Sequence, residues 1–289
     1  MSAGALALVF LAASPGTAAA EESDTHTCSG TLTSPGVLAG SYESVRVTGV
    51  CFVNAGAARI RGDLTLAPGS GLAAAFGRND ATGTGTSSLW VGGDVRVGRG
   101  AALLLGCEPG HFTCFDDTAK PPTLSSRSHV EGDLEANNAL GVVVHNSVIG
   151  GDVQQTGGGG GLNCNPAGVF APGPAYSDYE DTLIHGDVTI SKLNACYLGI
   201  ARDHVKGDVR LINNHMADPD AIEILANHIS DDLVCRGNSA VWDSAELSFM
   251  QMDLYPRGAQ PNVVRGDREG QCRLASPATL GGLSGPGPF

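Results

Sequence analysis

The chain has 289 residues, of which 41 are glycine, 16% are charged and only 5% are aromatic. This composition argues against an ordinary helical or doubly wound enzyme and favours an all-β chain with many turns. The formal net charge is −13, with 17 Lys and Arg against 30 Asp and Glu. We therefore expect no nucleic-acid partner and no anionic membrane partner, because phosphate binding needs a basic footprint.

The amino-terminal segment reads MSAGALALVFLAASPGTAAA. Its apolar run, 4–13, is followed by small residues, as in a secretory signal peptide, and is too short to span a bilayer. We predict a signal peptide over 1–20, a secreted (extracellular) protein and no membrane span. No basic residue precedes the run, which favours a start codon further upstream; the alternative is an Ala-rich disordered amino terminus.

A short motif, aliphatic-x-Gly-Asp-aliphatic, recurs eight times along the chain, beginning with IRGDL at 60–64. Two copies are imperfect, ISDDL at 229–233 and VRGDR at 264–268. The copies that keep both residues contain Gly62, Asp63, Gly93, Asp94, Gly132, Asp133, Gly151, Asp152, Gly186, Asp187, Gly207, Asp208, Gly266 and Asp267. The shortest intervals are close to 20 residues, which is typical of a solenoid, and the longer ones indicate the same unit with insertions.

Apolar and polar residues alternate through each copy, as in IRGDLTL. Ile60, Gly62 and Leu64 then share one face, so we predict one continuous strand per motif, with the glycine facing inward. The predicted fold is an all-β, right-handed parallel β-helix (solenoid) of about seven to nine coils with inserted loops; its hand follows the rule for parallel crossovers. We predict one domain over 24–273 and a disordered Pro/Gly-rich tail over 274–289.

Two further segments are assigned by the same alternation. SYESVRVTGVCFV (41–53) is strand-like and is predicted to form the first coil, and 217–229 is predicted to be strand rather than helix. Together with the repeated motif and the closing PNVVRGDREGQC (261–272), the first of these resembles a group of secreted actinobacterial β-helix (solenoid) proteins of unknown function. The resemblance covers most of the chain after the predicted signal peptide. It implies fold and export, and it brings no activity and no catalytic residues.

The eight cysteines predict disulfides, because their number is even in a chain that we expect to be secreted. Eight cysteines allow too many pairings for the sequence to choose among them, and our hypothesis is that neighbours pair. The hypothetical pairs are Cys28 with Cys51, Cys107 with Cys114, Cys164 with Cys196, and Cys235 with Cys272. A zinc site is the alternative, although the sequence lacks a close Cys-x-x-Cys pair.

The motif aspartates would form an outer column of mutually repelling charges if successive coils stack in register. The cations that flank this column and would balance it are Arg61, Lys206 and Arg265 on one side and Arg96 and Arg210 on the other. We interpret each aspartate as structural, bonded to a nearby backbone amide or to a flanking cation. Calcium binding is the alternative, although the nine-residue Gly/Asp-rich repeat of calcium β-rolls is absent.

Other candidate chemistry is weak. The pentaglycine at 157–161 lacks the Lys and Ser/Thr of a phosphate loop. No Gly-x-Ser-x-Gly motif occurs, and no local motif marks an acid/base pair. The histidines have no metal-binding spacing and are interpreted as surface or turn residues: His26, His111, His129, His145, His185, His204, His215 and His228. We predict no cofactor, no metal and no catalytic residue.

The sequence therefore favours a non-catalytic, structural or extracellular binding role, with cell-wall or extracellular polysaccharide as the candidate partner. The alternative is a polysaccharide-active lyase or hydrolase, since parallel β-helices host many such enzymes. A third possibility is adhesion through Arg61-Gly62-Asp63, the tripeptide that integrins read. Because the residue before the glycine varies from copy to copy, we interpret this triplet as one copy of the repeat.

Overall fold

The computed structural model describes residues 24–110, 112–218, 222–239, 241–243 and 262–273. The predicted signal peptide (1–20) and tail (274–289) lie outside the described residues. Strands, numbered β1–β30 in chain order, make up nearly all of the regular structure. Among the described residues, two single-turn 3-10 helices accompany them, Gly168–Phe170 and Gln271–Arg273. Within these ranges there is no helix with the length and apolar character needed to cross a membrane.

Three long sheets contain most of the strands. Sheet I contains β1 (Thr25–Cys28), β4 (Ser44–Val47), β7 (Leu64–Leu66), β10 (Val95–Val97), β13 (Leu134–Asn137), β16 (Val153–Thr156), β19 (Val188–Ser191), β23 (Val209–Ile212), β27 (Leu233–Arg236) and β30 (Arg268–Gly270). Sheet II contains β2 (Gly36–Val37), β5 (Val50–Phe52), β8 (Gly71–Ala74), β11 (Ala102–Leu105), β14 (Gly141–His145), β17 (Ser177–Glu180), β21 (Leu198–Ala201), β25 (Ile222–Leu225) and β28 (Trp242–Asp243). Sheet III contains β3 (Gly40–Tyr42), β6 (Ala57–Ile60), β9 (Ser88–Val91), β12 (Ser128–Val130), β15 (Val148–Ile149), β18 (Leu183–Ile184), β22 (His204–Val205), β26 (His228–Ile229) and β29 (Val263–Val264). A fourth, two-stranded sheet pairs β20 (Asn194–Ala195) with β24 (His215–Met216).

The chain passes from sheet I to sheet II to sheet III and then repeats this circuit. Each strand pairs in parallel with the equivalent strand of the next circuit, as β7 pairs with β10 and β10 with β13. This is the architecture of a parallel β-helix, which confirms the predicted fold class.

The core is a set of aliphatic columns that run along the axis of the β-helix. One column on sheet I consists of Val45, Leu64, Val95, Leu134, Val153, Val188, Val209 and Leu233, which are paired in register. Every member is at most 1% exposed. Burial of each side chain contributes about 1.5–3 kcal/mol, so the columns are the main source of stability.

The repeated motif lies at the corner between sheets III and I. Ile60 ends β6, residues 61–63 form the turn, and Leu64 begins β7. The prediction of one continuous strand through the motif is therefore wrong. The aliphatic residues do point into the core, but they belong to two strands of different sheets, and the Gly-Asp pair changes the chain direction between them.

The inserted loops follow strands at the corners of sheets I and II. They occupy 75–87, 106–127 and 157–176, close to the insertions expected from the long repeat intervals. The structure contains four disulfides, with the pairing of sequence neighbours that we hypothesised: Cys28–Cys51, Cys107–Cys114, Cys164–Cys196 and Cys235–Cys272.

The two additional segments are also β. The described part of 217–229 contains β25 and β26, so the strand prediction is confirmed there; 219–221 lie outside the described residues. SYESVRVTGVCFV contributes β4, β5 and the end of β3. It is not the first coil, because β1 and β2 precede it and pair with β4 and β5.

Candidate functional site

The motif aspartates form a hydrogen-bonded ladder along the corner. Asp63 Oδ1 accepts a hydrogen bond from the backbone amide of Asp94 at 3.0 Å. The same contact links each aspartate to the next one through Asp94, Asp133, Asp152, Asp187, Asp208, Asp232 and Asp267. We call these eight residues the Asp ladder. Asp232 belongs to it although its copy of the motif has lost the glycine.

The motif glycines are explained by the ladder. A Cβ on Gly151 would lie 1.9 Å from Asp133 Oδ1, and one on Gly186 would lie 2.0 Å from Asp152 Oδ1. The carboxylate of the preceding coil therefore fills the space that a side chain would need. The sequence predicted an inward-facing glycine at a bend or a tight position; the tight contact is with the carboxylate of the preceding coil.

Two arginines balance part of the ladder's charge. Arg96 bridges Asp63 and Asp94, and Arg210 bridges Asp187 and Asp208. The hydrogen bond from the Asp94 amide, assisted by Arg96, holds the pKa of Asp63 below its usual value. Both oxygens of Asp63 are thus engaged within the fold.

An open groove lies beside the first ladder residue, on the outer face of the amino-terminal coils. Its volume is about 920 Å³. It is lined by Thr25, Thr27, Glu43, Ser44, Val45, Arg46, Arg61, Gly62, Asp63 and Thr65. A second depression of about 250 Å³ shares Glu43 and Arg61 with it and adds Asp24, His26, Ser41 and Tyr42. We call the two together the amino-terminal groove.

The side chains that line the groove include hydroxyl groups, carboxylates and guanidinium groups, so the groove can both donate and accept hydrogen bonds. The Thr25 and Ser44 hydroxyls are 2.9 Å apart, and Arg61 forms an exposed ion pair with Glu43. The Tyr42 and His26 rings pack with centroids 4.5 Å apart at the rim. Sugar hydroxyls both donate and accept hydrogen bonds, so this lining suits a polyhydroxylated ligand.

A second candidate lies beneath the inserted loops on the outer side of sheet II. His145, from β14, contacts two acidic residues of β17, with Nε2 at 3.2 Å from Asp178 Oδ2 and Nδ1 at 3.3 Å from Glu180 Oε2. Arg202 Nη2 contacts Glu180 Oε2 at 2.5 Å and Asp181 Oδ2 at 2.7 Å. We call His145, Asp178 and Glu180 the buried triad.

The three side chains of the triad lie next to one another because β14 and β17 are neighbouring strands that pair in register. His145 pairs with Glu180, and Val143 pairs with Asp178. Alternate residues of a strand share a face, so all three side chains point outward from the core. Phe112, from the loop closed by Cys107 and Cys114, stacks on His145 with ring centroids 4.6 Å apart.

Burial dominates the electrostatics of this region. Burial alone would lower the pKa of His145, but Asp178 and Glu180 outweigh it and raise that pKa to about 10. Burial raises the pKa of Glu180, and burial together with neighbouring Asp181 raises the pKa of Glu108 to about 8.

The triad is inaccessible to a polymer, because all three side chains are about 2% exposed. The interpretation of His145 as a surface or turn residue is therefore wrong. Sequence reasoning also missed Asp178 and Glu180, although three acids within SDYED between apolar segments are unusual for a buried strand. That signal could have identified β17 as special.

A buried ladder of polar side chains runs along the corner between sheets II and III. Asp203 Oδ1 accepts from the Thr182 amide, and Asn227 Oδ1 accepts from the Asp203 amide, both at 2.8 Å. Asn262 Oδ1 accepts from the Asn227 amide at 2.8 Å. Burial raises the pKa of Asp203 well above its usual value. An acid thus occupies a place that asparagine holds in the next two coils.

Comparison with known proteins finds no matching family model, no matching curated protein and no matching solved structure. Function is therefore inferred from the chain's own residues.

Proposed function

We propose that the protein is a secreted, non-catalytic binding protein that holds a cell-wall or extracellular polysaccharide in the amino-terminal groove. The observation that carries this proposal is the lining of the groove. Hydroxyl-bearing and charged side chains line an open groove of about 920 Å³. The Tyr42–His26 ring pair lies next to it.

The open shape also favours a polymer over a small metabolite. Small-molecule sites are usually enclosed and mostly apolar. Thr27, Arg46 and Thr65 instead lie in register on adjacent strands of sheet I, so their outward side chains form a row across the coils. An extended polysaccharide could contact several coils at once, and the many weak contacts together would raise its affinity.

Export is the second part of the proposal. Four disulfides and no free cysteine among the described residues are typical of an oxidising compartment. The apolar run at 4–13, followed by small residues, supports a cleaved signal peptide. The resemblance to secreted actinobacterial solenoid proteins agrees with this.

The polysaccharide-active enzyme remains the alternative on the same scaffold. Such an enzyme needs an acid/base pair open to the polymer. The acid and base groups of the buried triad are about 2% exposed, and Phe112 of the 106–127 loop packs on His145. His129 and Glu131 form an exposed pair, with Nε2 and Oε1 2.9 Å apart, but they lie outside the amino-terminal groove. The binding role therefore fits the geometry better.

Co-sedimentation tests the proposal. The purified chain is mixed with insoluble peptidoglycan, chitin and cellulose, and the bound fraction is measured. We expect retention by at least one polymer and a loss of at least several-fold in affinity for Arg61→Ala, since that change removes a groove cation. Arg236→Ala is the matched control, because Arg236 also forms an exposed ion pair with a glutamate, Glu269, at the far end of sheet I.

Two results would contradict the proposal. The first is the absence of retention by every polymer, and the second is equal loss in Arg61→Ala and Arg236→Ala. Release of soluble sugar from a retained polymer would instead support the enzyme.

A further inference from the structure

The buried triad contains polar atoms that the protein itself does not satisfy. Within the described part of the chain, no hydrogen bond reaches Asp178 Oδ1 or Glu180 Oε1, although both atoms are buried. The two His145 nitrogens face the other oxygens of these carboxylates at 3.2 and 3.3 Å, without the angles of a good hydrogen bond. Buried polar groups in native proteins are nearly always bonded, and an exception calls for a water, an ion or a special role. Here the exceptions converge on one place.

The donor atoms are close enough to share one ion. One donor atom from each of His145, Asp178 and Glu180 can be chosen so that all lie within 4.8 Å of one another. An imidazole nitrogen with two carboxylate oxygens suits Zn²⁺ and other first-row divalent ions. Calcium and magnesium prefer oxygen ligands alone, so the histidine argues against them.

The surroundings supply outer support for such an ion. Arg202 contacts Glu180 through Oε2, which leaves Oε1 available and fixes the orientation of the carboxylate. Outer partners of this kind usually orient metal ligands. Phe112 packs flat against the imidazole and shields it from solvent.

The charge balance also favours a cation. The triad and the adjacent Asp181 contribute three carboxylates, whereas Arg202 is the permanent cation that contacts them. A divalent ion would offset the remaining negative charge by replacing the proton that otherwise makes the His145 imidazole a second cation.

We propose that His145, Asp178 and Glu180 bind one divalent transition-metal ion, with Zn²⁺ as the best-fitting probe. The site is structural, since it lies under the loop that Cys107 and Cys114 close. It joins β14 to β17, between which the 157–176 loop is inserted. Because the site is buried, the metal enters as the chain folds.

Refolding with and without metal tests this proposal. The full chain is unfolded in guanidinium with a chelator, its disulfides left intact, and refolded with Zn²⁺, with Co²⁺ or with chelator. We expect one bound metal ion per chain, measured by inductively coupled plasma mass spectrometry. We also expect a Tm several degrees higher with Zn²⁺ than with chelator, and visible ligand-field absorption with Co²⁺.

Variants separate ligation from charge. His145→Gln and Asp178→Asn should lose the bound metal and the Zn²⁺-dependent rise in Tm. Glu223→Gln is the control, because it neutralises a buried acid of the same sheet, on β25, outside the triad. It should keep both the metal and the Tm rise.

Two results would overturn the proposal. One is wild-type protein that refolds to the same Tm with Zn²⁺, with Co²⁺ and with chelator while binding only trace metal. The other is stoichiometric metal that persists in both His145→Gln and Asp178→Asn. The wild-type comparison decides the matter even if a variant fails to fold.

Discussion

Asp63 Oδ1 lies 3.0 Å from the backbone nitrogen of Asp94 and 2.3 Å from the place where a Cβ on Gly93 would stand. This relationship explains why glycine and aspartate recur together in the repeat. The aspartate of one coil bonds the backbone of the next, and glycine at six of the seven receiving positions leaves room for its carboxylate. The tripeptide Arg61-Gly62-Asp63 is therefore the first copy of a structural device.

Gly93→Ala should destabilise the fold by about 1–3 kcal/mol, the range expected for strain at a tightly packed position. The added Cβ must displace the Asp63 carboxylate and lose its bond to the Asp94 amide. Urea denaturation measures the change. Gly62→Ala is the comparison: its Cβ would also meet a backbone atom too closely, Glu43 O at 2.9 Å, but it would displace no ladder carboxylate, so its loss should be smaller. Equal losses in the two variants would contradict the explanation.

Asp231→Gly should raise stability, because Asp231 stands at the glycine position of its motif, directly above Asp208. The Asp208 carboxylate bonds the Asp232 amide at 2.7 Å, so the ladder persists there despite an added side chain. Glycine at this position should remove the crowding between the Asp231 side chain and the Asp208 carboxylate, and it should remove one exposed negative charge beside the ladder. A Tm that falls would show that Asp231 makes a favourable contact of its own.

Asp63→Asn should reduce the loss of stability that the protein shows as pH falls towards 2. The pKa of Asp63 is lowered by the Asp94 amide and then by Arg96. A lowered folded-state pKa gives stability that is present above the ordinary value of 3.8 and is lost as pH falls through the folded value. Tm measured from pH 7 to pH 2 should therefore converge for the two proteins at the acid end. Parallel curves would contradict this.

Asp203→Asn should stabilise the protein at neutral pH by about 1–3 kcal/mol, since burial disfavours the charged carboxylate. Asn227 Nδ2 donates to Ile200 O at 2.8 Å, and an asparagine at 203 could donate similarly one coil earlier. The raised pKa of Asp203 gives stability that is present below the ordinary value of 3.8 and is lost as pH rises through the folded value. The advantage of the variant should thus shrink as pH falls, which thermal denaturation measures.

The reciprocal change, Asn227→Asp, serves as the control for that prediction. It would replace the Nδ2 donor to Ile200 O by a buried carboxyl group and should lower Tm at pH 7 more than at pH 4. Stabilisation by Asn227→Asp would show that this ladder prefers acids.

Much of the fold could be predicted because the repeat is visible in the sequence. The spacing of Gly62, Gly93 and their equivalents indicated stacked coils, and the long intervals indicated inserted loops. The corner at 61–63 could not be distinguished from a strand, since both place Ile60 and Leu64 in the core. Alternation reports which residues are buried, but it does not report a change of direction between them.

The candidate sites were harder to predict. His145 and Asp178 are separated in the sequence by the whole 157–176 insertion and lie together only because β14 and β17 pair in register. The amino-terminal groove depends on side chains from three coils, such as Thr27, Arg46 and Thr65. Neither arrangement leaves a local motif.

The most direct test of polysaccharide binding is to map where the ligand lies. Isotope-labelled protein is titrated with soluble oligosaccharides of the polymer that it retains, and backbone amide shifts are followed by NMR. The proposal predicts changes concentrated at Thr25, Thr27, Tyr42, Arg61 and Thr65, with the Arg236 end of sheet I unaffected. Changes centred elsewhere on the β-helix, or no retained polymer to titrate, would contradict it.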